Sequence, residues 1–183
     1  MELDKERYRR YLQGDQEAFA EIVMEYFDRL VFFLDRYVQN LAAAEDLARD
    51  VFVALVASPK RYNFRSSLKS YLFMMGRCRA LDYIKHRDKL RMEPLSQADH
   101  VASDTLTPEE LVLADSKNQA LNRALGQLEA NMRLVVHLVY FEDLSCEEAA
   151  KVLKKNRKQV YNLLYRAKVT LRSILEQEEV FGP

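Results

Sequence analysis

The residues from Lys151 to Arg172 carry eight positive charges and no negative one, and their types recur at helical spacing. Val160, Leu163, Leu164, Ala167, Leu171 and Leu175 fall on one apolar stripe, which leaves Arg157, Lys158, Tyr161, Asn162, Tyr165 and Lys168 facing outward. Those outward types suit a DNA major groove. Arginine and lysine reach phosphates or the acceptor edge of guanine, and Asn162 matches the donor and acceptor pair of adenine. The competing reading is a solvated basic face on a helical hairpin.

A second group comprises Lys60, Arg61, Tyr62, Phe64, Arg65, Lys69, Tyr71, Phe73, Arg77 and Arg79. Cations interleaved with aromatics suit an opened strand, since charges track phosphates and ring or guanidinium planes stack on exposed bases at about 1–3 kcal/mol each. Tyr71 and Phe73 share a helical stripe with Leu68, Leu72, Met75 and Leu81, so they are expected in the core. A third group is acidic: Glu45, Asp46, Arg49 and Asp50 share the polar side of a helix that turns Leu47, Val51, Phe52 and Leu55 inward. Acid-rich faces of this kind recruit basic partner helices, and the alternative is an ordinary solvated face.

Charge along the chain supports the two basic groups. The formal total is zero, but residues 1–59 sum to −5, 60–91 to +8, 92–116 to −6, 117–150 to −2, 151–172 to +8 and 173–183 to −3. Each basic block is a candidate phosphate-binding surface.

No glycine-rich phosphate loop and no GxSxG nucleophile setting occurs, and His86, His100 and His137 are scattered without the paired spacing of metal ligands. They read as surface or packing residues. Cys78 and Cys146 have neither CxxC nor Cys/His spacing and read as reduced packing residues. No catalytic residue, metal site or cofactor is expected, and the chain is not expected to be an enzyme. The opening residues, MELDKERYRRYL, place charge where a signal peptide needs an apolar stretch. The longest uncharged apolar run, Val51 to Ala57, is too short for a bilayer, so a soluble cytoplasmic protein without membrane insertion is expected.

The elements that must position these groups are helices. Glycine and proline number four each, and apolar residues recur at helical spacing nearly everywhere, as in Phe19, Ile22, Val23, Tyr26, Phe27 and Leu30. The pattern predicts an all-α chain with helices over 5–12, 15–38, 43–57, 67–89, 109–128, 131–141, 145–153 and 157–177. Asp15 after Gly14 offers an N-cap, Ser58-Pro59 stops a helix, and Ser145 with Glu148 matches a capping box. From Met92 the sequence MEPLSQADHVASDTLTP loses periodicity and turns polar and acidic, which predicts a flexible linker over 92–107 between two small helical domains, 1–91 and 108–183. Its acidity fits either a solvated tether or a shield over a basic block. Between Ser145 and Arg172, a capped short helix, a turn and a longer helix, with Ala149 and Ala150 where two helices cross closely, make a helix-turn-helix pattern.

Leu125 to Leu171, with LxxLxANMRLVVHLVYFEDLSCEEAAKVL and QVYNLLYRAKVTL, resembles region 4 of the sigma-70 family, the part that reads the −35 promoter element. The resemblance implies −35 recognition by Arg157, Lys158, Tyr161, Asn162, Tyr165 and Lys168, with the preceding helices touching the polymerase flap. The chain departs from the family at the turn, where Lys154 and Lys155 replace a small residue and an aliphatic one. A left-handed residue other than glycine costs about 1–2 kcal/mol there.

Asp15 to Arg87 resembles region 2 of the same family, especially its extracytoplasmic-function (ECF) branch. Three ordered stretches carry this: GDQEAFAEIVMEYFDRLVFFLDRYV, AEDLARDVFVALV and FRSSLKSYLFMMGRCRALDYIKHR. The resemblance implies that Asp46, Arg49 and Asp50 dock on the polymerase clamp helices, with Arg49 standing where glutamine is usual. It implies a loop, Ser58 to Ser67, that captures a flipped non-template base of the −10 element through Arg61, Tyr62, Asn63 and Phe64, while Arg65, Lys69, Arg77 and Arg79 guide the strand. Flipping costs a few kcal/mol, recovered in this branch by base capture rather than by an aromatic wedge; the absence of tryptophan agrees. The implied function is promoter-specific transcription initiation as a sigma factor. The implied partners are core RNA polymerase, through clamp helices and flap, promoter DNA and an anti-sigma factor. Two other classes stay open: a stand-alone helix-turn-helix regulator with an N-terminal dimerisation or sensing domain, and a helical interaction module such as an anti-sigma partner.

Overall fold

In the computed structural model the described residues are 2–92, 121 and 123–177; among them every regular element is helical and there is no strand. They fall into two compact units. The linker expected over 92–107 and most of the helix expected over 109–128 lie outside the described residues, although residues 123–126 are helical.

The first unit contains α1 (Glu2–Leu12), α2 (Gln16–Val38), α3 (Leu41–Ala57), a 3-10 turn (Pro59–Arg61) and α4 (Leu68–Met92). Asp15 caps α2 as its sequence position predicts, its carboxylate accepting the Ala18 N–H at 3.1 Å. That bond and the neighbouring Arg10 guanidinium hold its pKa below the usual carboxylate range. The helix closes at Gln39, whose φ of +52° lets its N–H return to the Asp35 carbonyl at 2.8 Å. Asn40 then caps α3 at once by accepting the Ala43 N–H at 2.9 Å, so α3 starts two residues ahead of the expected Ala43.

The core of this unit is built from Ile22, Leu30, Phe33 and Leu34 of α2, Val51 and Leu55 of α3, and Leu68, Leu72 and Phe73 of α4, all essentially without solvent contact. α4 crosses α2 at Gly76, where an added Cβ would stand 2.9 Å from Leu30 Cδ1. Glycine there permits the close crossing that brings the basic side of α4 up to the other helices. The stripe that places Phe73 in the core is confirmed, while Tyr71 is only half-buried.

The second unit contains α5 (Ala130–Val136), a π-helical turn (His137–Phe141), α6 (Cys146–Leu153) and α7 (Arg157–Gln177). The continuous helix expected over 131–141 therefore loosens at its midpoint. His137 is buried there, its ring stacked on Phe141 at 5.7 Å and its Nε2 3.6 Å from Glu142 Oε1, so it is a packing residue. Ser145 and Glu148 form the expected capping box: Ser145 N–H donates to Glu148 Oε2 at 3.1 Å, and Glu148 N–H donates to Ser145 Oγ at 3.2 Å. Ala149 and Ala150 of α6 are buried with Val160, Leu164 and Ala167 of α7.

Candidate nucleic-acid interface

The exposed basic face of the second unit depends on how α6 hands over to α7. Lys154 takes up the left-handed conformation, φ +51°, and the Lys155 N–H returns to the Ala150 carbonyl at 2.9 Å, which is the long bond of a Schellman close. A lysine therefore does here what glycine does elsewhere. Asn156 and Gln159 then cap α7 reciprocally, with Asn156 N–H donating to Gln159 Oε1 and Gln159 N–H donating to Asn156 Oδ1, both at 2.8 Å. This second box fixes the register of the helix, and Asn156 with Gln159 three residues later is its signal in the sequence.

With the register fixed, Arg157, Lys158, Tyr161, Asn162, Tyr165 and Lys168 are all exposed along one side of α7. They come together as the sequence predicts. Arg157 is already oriented: it donates to Glu147 Oε1 at 2.9 Å and to the Tyr161 hydroxyl at 3.2 Å, and its guanidinium lies 5.3 Å from the Tyr161 ring centre. The Tyr161 hydroxyl, and after it the charge on Glu147, raises its pKa. Lys168 stands 5.7 Å from the centre of the Tyr140 ring, and the Tyr140 hydroxyl raises its pKa. Glu147 escaped the sequence reading because it belongs to the preceding helix, ten residues from its partner.

In the first unit the segment between α3 and α4 carries Arg61, Asn63 and Arg65 exposed. Asn63 Oδ1 accepts the Arg65 N–H at 3.1 Å, a local turn that presents Arg65 outward. Tyr62 is placed differently from the expectation. It is only 2% exposed, its hydroxyl donates to the Ser66 carbonyl at 2.7 Å, and its ring packs against Tyr8, Phe64 and Tyr71. The reason is physical: an irregular loop needs a buried apolar anchor, and Tyr62 satisfies its one polar atom within the loop itself. Its hydroxyl pKa is pushed up to about 12 by burial. Tyr62 therefore anchors the loop from within in this structure. Phe64 is partly exposed, with φ +60°.

Lys69 is half-buried near the start of α4. Arg77 and Arg79 lie further along it and lean toward their neighbours. Burial raises the Tyr37 hydroxyl to about 12 and Arg77 beside it pulls in the opposite direction, while Arg79 pairs with Asp50 of α3 at 3.6 Å. The two arginines thus share their charge with the helical scaffold.

The outer face of α3 carries Asp46, Arg49 and Asp50, all exposed. Arg49 donates to Asp46 at 2.6 Å and to Glu45 at 2.8 Å. Val53 and Val56, 64% and 49% exposed, continue this face toward the loop. Their register sets them apart from the inward residues Leu47, Val51, Phe52 and Leu55 of the same helix.

Two family models cover most of this architecture, Sigma-70 region 2 over residues 22–90 and Sigma-70, region 4 over residues 118–171. The chain belongs to the sigma-70 family. Among its relatives, the ECF RNA polymerase sigma factor SigW of Bacillus subtilis is 24% identical, covering 93% of this chain and 96% of SigW. SigX of the same organism is 27% identical over 88% of this chain and 85% of its own length. These place the protein in the ECF branch of the sigma-70 family. Two solved structures share the fold with a TM-score of 0.65: CnrH in complex with the cytosolic domain of CnrY, 21% identical over 96% of this chain and 98% of that one, and RpoE in complex with the anti-sigma factor NepR from Bartonella quintana, 22% identical over 86% and 96%. Among the described residues no helix is long and apolar enough to cross a membrane.

Proposed function

We infer that this protein is a sigma factor that binds core RNA polymerase and directs promoter-specific transcription initiation. The observation that carries the inference is one chain joining two units of the sigma-70 family, each with a basic surface of its own. The second unit reads the −35 element through α7, with Arg157 and Asn162 on base edges and Lys158, Tyr161, Tyr165 and Lys168 on the backbone around them. In the first unit the loop over 58–67 takes a base of the −10 element, with Arg61, Asn63, Phe64 and Arg65 at its rim and Lys69, Arg77 and Arg79 along the strand. Asp46, Arg49 and Asp50 meet the clamp helices of the polymerase, and the second unit meets its flap. The domains run over 1–91 and 108–183, with a linker between them.

The protein acts by binding and not as an enzyme, and it works in the cytoplasm, where the polymerase is. An anti-sigma factor is a further partner, as NepR is for the related RpoE.

The test is transcription from a defined promoter with purified core polymerase. Promoter-selective initiation is expected only when both proteins are present. Tight sequence-specific duplex binding by the protein alone would instead make it a stand-alone regulator. In the same assay Asp46→Lys combined with Asp50→Lys should lower affinity for core polymerase at least tenfold, since an unpaired like charge at an interface costs several kcal/mol, while the protein stays folded. Unchanged affinity would move the docking surface elsewhere.

A further inference from the structure

The match to region 2 begins at residue 22, so α1 lies outside it. Yet α1 makes direct side-chain contacts to the proposed base-capturing loop. Tyr8 is 0% exposed, and its hydroxyl donates to the Pro59 carbonyl, 51 residues on, at 2.8 Å. Its ring meets Tyr62 edge-on at 5.1 Å and Phe64 at 6.0 Å. The next residue, Arg9, holds its guanidinium 5.4 Å from the centre of the Phe64 ring. α1 is in turn fastened to α2 by Arg7–Glu21 at 3.0 Å, Arg10–Asp15 at 2.7 Å and the Tyr11–Phe19 ring pair at 4.8 Å.

From this geometry we propose that α1 is part of the strand-capturing site, with Tyr8 as a positioning residue that sets the conformation of the loop over 58–67. The inference rests on the reading of that loop as the −10 contact. Phe64 sits at φ +60°, which a residue with a side chain holds only when its surroundings over-determine it. Those surroundings are Tyr62 from within the loop and Tyr8 and Arg9 from α1. The Tyr8 hydroxyl also donates to the carbonyl of Pro59, the first residue of the 3-10 turn that opens the loop. Burial raises the pKa of that hydroxyl, so it remains a donor at any physiological pH. A base entering beside Phe64 therefore meets a rim whose shape is held by α1, and loosening α1 should blur which base is accepted.

The experiment uses the full chain with core polymerase on promoters carrying the preferred −10 element or single-base changes in it, as duplex and with the −10 region already unpaired by mismatches. Tyr8→Phe removes one hydroxyl and keeps the ring; Arg9→Gln removes the cation over Phe64. A net hydrogen bond corresponds to about fivefold in an equilibrium, and an exposed cation–ring contact to about threefold. Tyr8→Phe should lower the preference for one −10 base about fivefold on both template forms, and Arg9→Gln about threefold, with core affinity and −35 dependence unchanged. A merely structural role would instead lower activity on all templates in proportion to lost thermal stability, and that result overturns the proposal. So does a Tyr8→Phe protein that keeps the full −10 preference of the wild type. If the wild type itself shows no −10 preference, the reading of the loop falls and the role of α1 with it.

Discussion

The two basic surfaces proposed to meet nucleic acid are held in shape by opposite means. In the second unit the reading residues stand on a helix, and the helix is fixed by bonds between near neighbours: a Schellman close at Lys154 and two reciprocal caps, Ser145 with Glu148 and Asn156 with Gln159. In the first unit several stand on a loop, and the loop is held by rings from outside it, buried Tyr8 of α1 and half-buried Tyr71 of α4, around Tyr62. Each surface contains a residue other than glycine at positive φ, Lys154 in one and Phe64 in the other. The first is sustained by local hydrogen bonds and the second by tertiary packing. A helix can present side chains once its ends are tied, whereas a loop has no ladder of its own and must borrow rigidity from a core.

The sharpest way to break this contrast is Tyr62→Ala. Removing a fully buried aromatic costs about 3–5 kcal/mol, and the loss should appear in the first unit alone. Denaturant unfolding followed separately by probes in each unit checks this; equal loss in both would mean that they are one cooperative body. No single side chain of the α7 reading face should have an effect of that size on stability, because all of them are exposed.

The next effect in size concerns recognition. Arg157→Ala and Asn162→Ala should each remove about 1–3 kcal/mol of discrimination at one base pair of the −35 element without lowering the unfolding midpoint. Lys168→Ala should weaken binding to all sequences alike and reduce the slope of log affinity against log salt by about 1. Polymerase-dependent transcription on single-base promoter variants at two salt concentrations separates the two classes. An even loss of activity for Arg157→Ala and Asn162→Ala would make α7 an electrostatic anchor and leave promoter choice to the first unit.

The smallest effect is a gain. Lys154→Gly relieves a left-handed lysine, a strain of about 1–2 kcal/mol, against about 0.5–1 kcal/mol of added backbone freedom in the unfolded chain. A net rise in stability of up to about 1 kcal/mol is expected, read as a higher unfolding midpoint of the second unit. A fall would show that the lysine side chain contributes packing at the turn.

The same contrast explains what was legible in the sequence. The second unit was readable because its determinants are local: the Val160, Leu164 and Ala167 stripe and the Ser145 cap declare themselves within a few residues, and the exposed side of α7 follows from them. The Asn156 and Gln159 box is equally local, its two partners three residues apart. In the first unit the helices and most of the core were readable from periodicity, but the state of Tyr62 was not. Tyrosine suits both a stacking platform and a buried anchor, and the choice is made by Tyr8, more than fifty residues earlier, which no spacing rule connects to it. Arg79 is a similar case. Its basic type is visible in the sequence, but its pairing with Asp50, made by the crossing of α4, is not.

That pairing, and the one Arg49 makes with Asp46 and Glu45, changes what docking on the acidic face of α3 involves. The carboxylates do not wait bare in water: each already has an arginine of its own chain at 2.6 to 3.6 Å. A basic partner helix must therefore take the place of a resident guanidinium, and association becomes an exchange of one ion pair for another. Exchange releases little net electrostatic energy and few counterions, so docking through this face should vary less with salt than promoter binding through α7. Its selectivity then comes from whether the partner's cations fall at the helical spacing of Asp46 and Asp50, with Val53 and Val56 supplying the apolar contact that an exchange of charges does not.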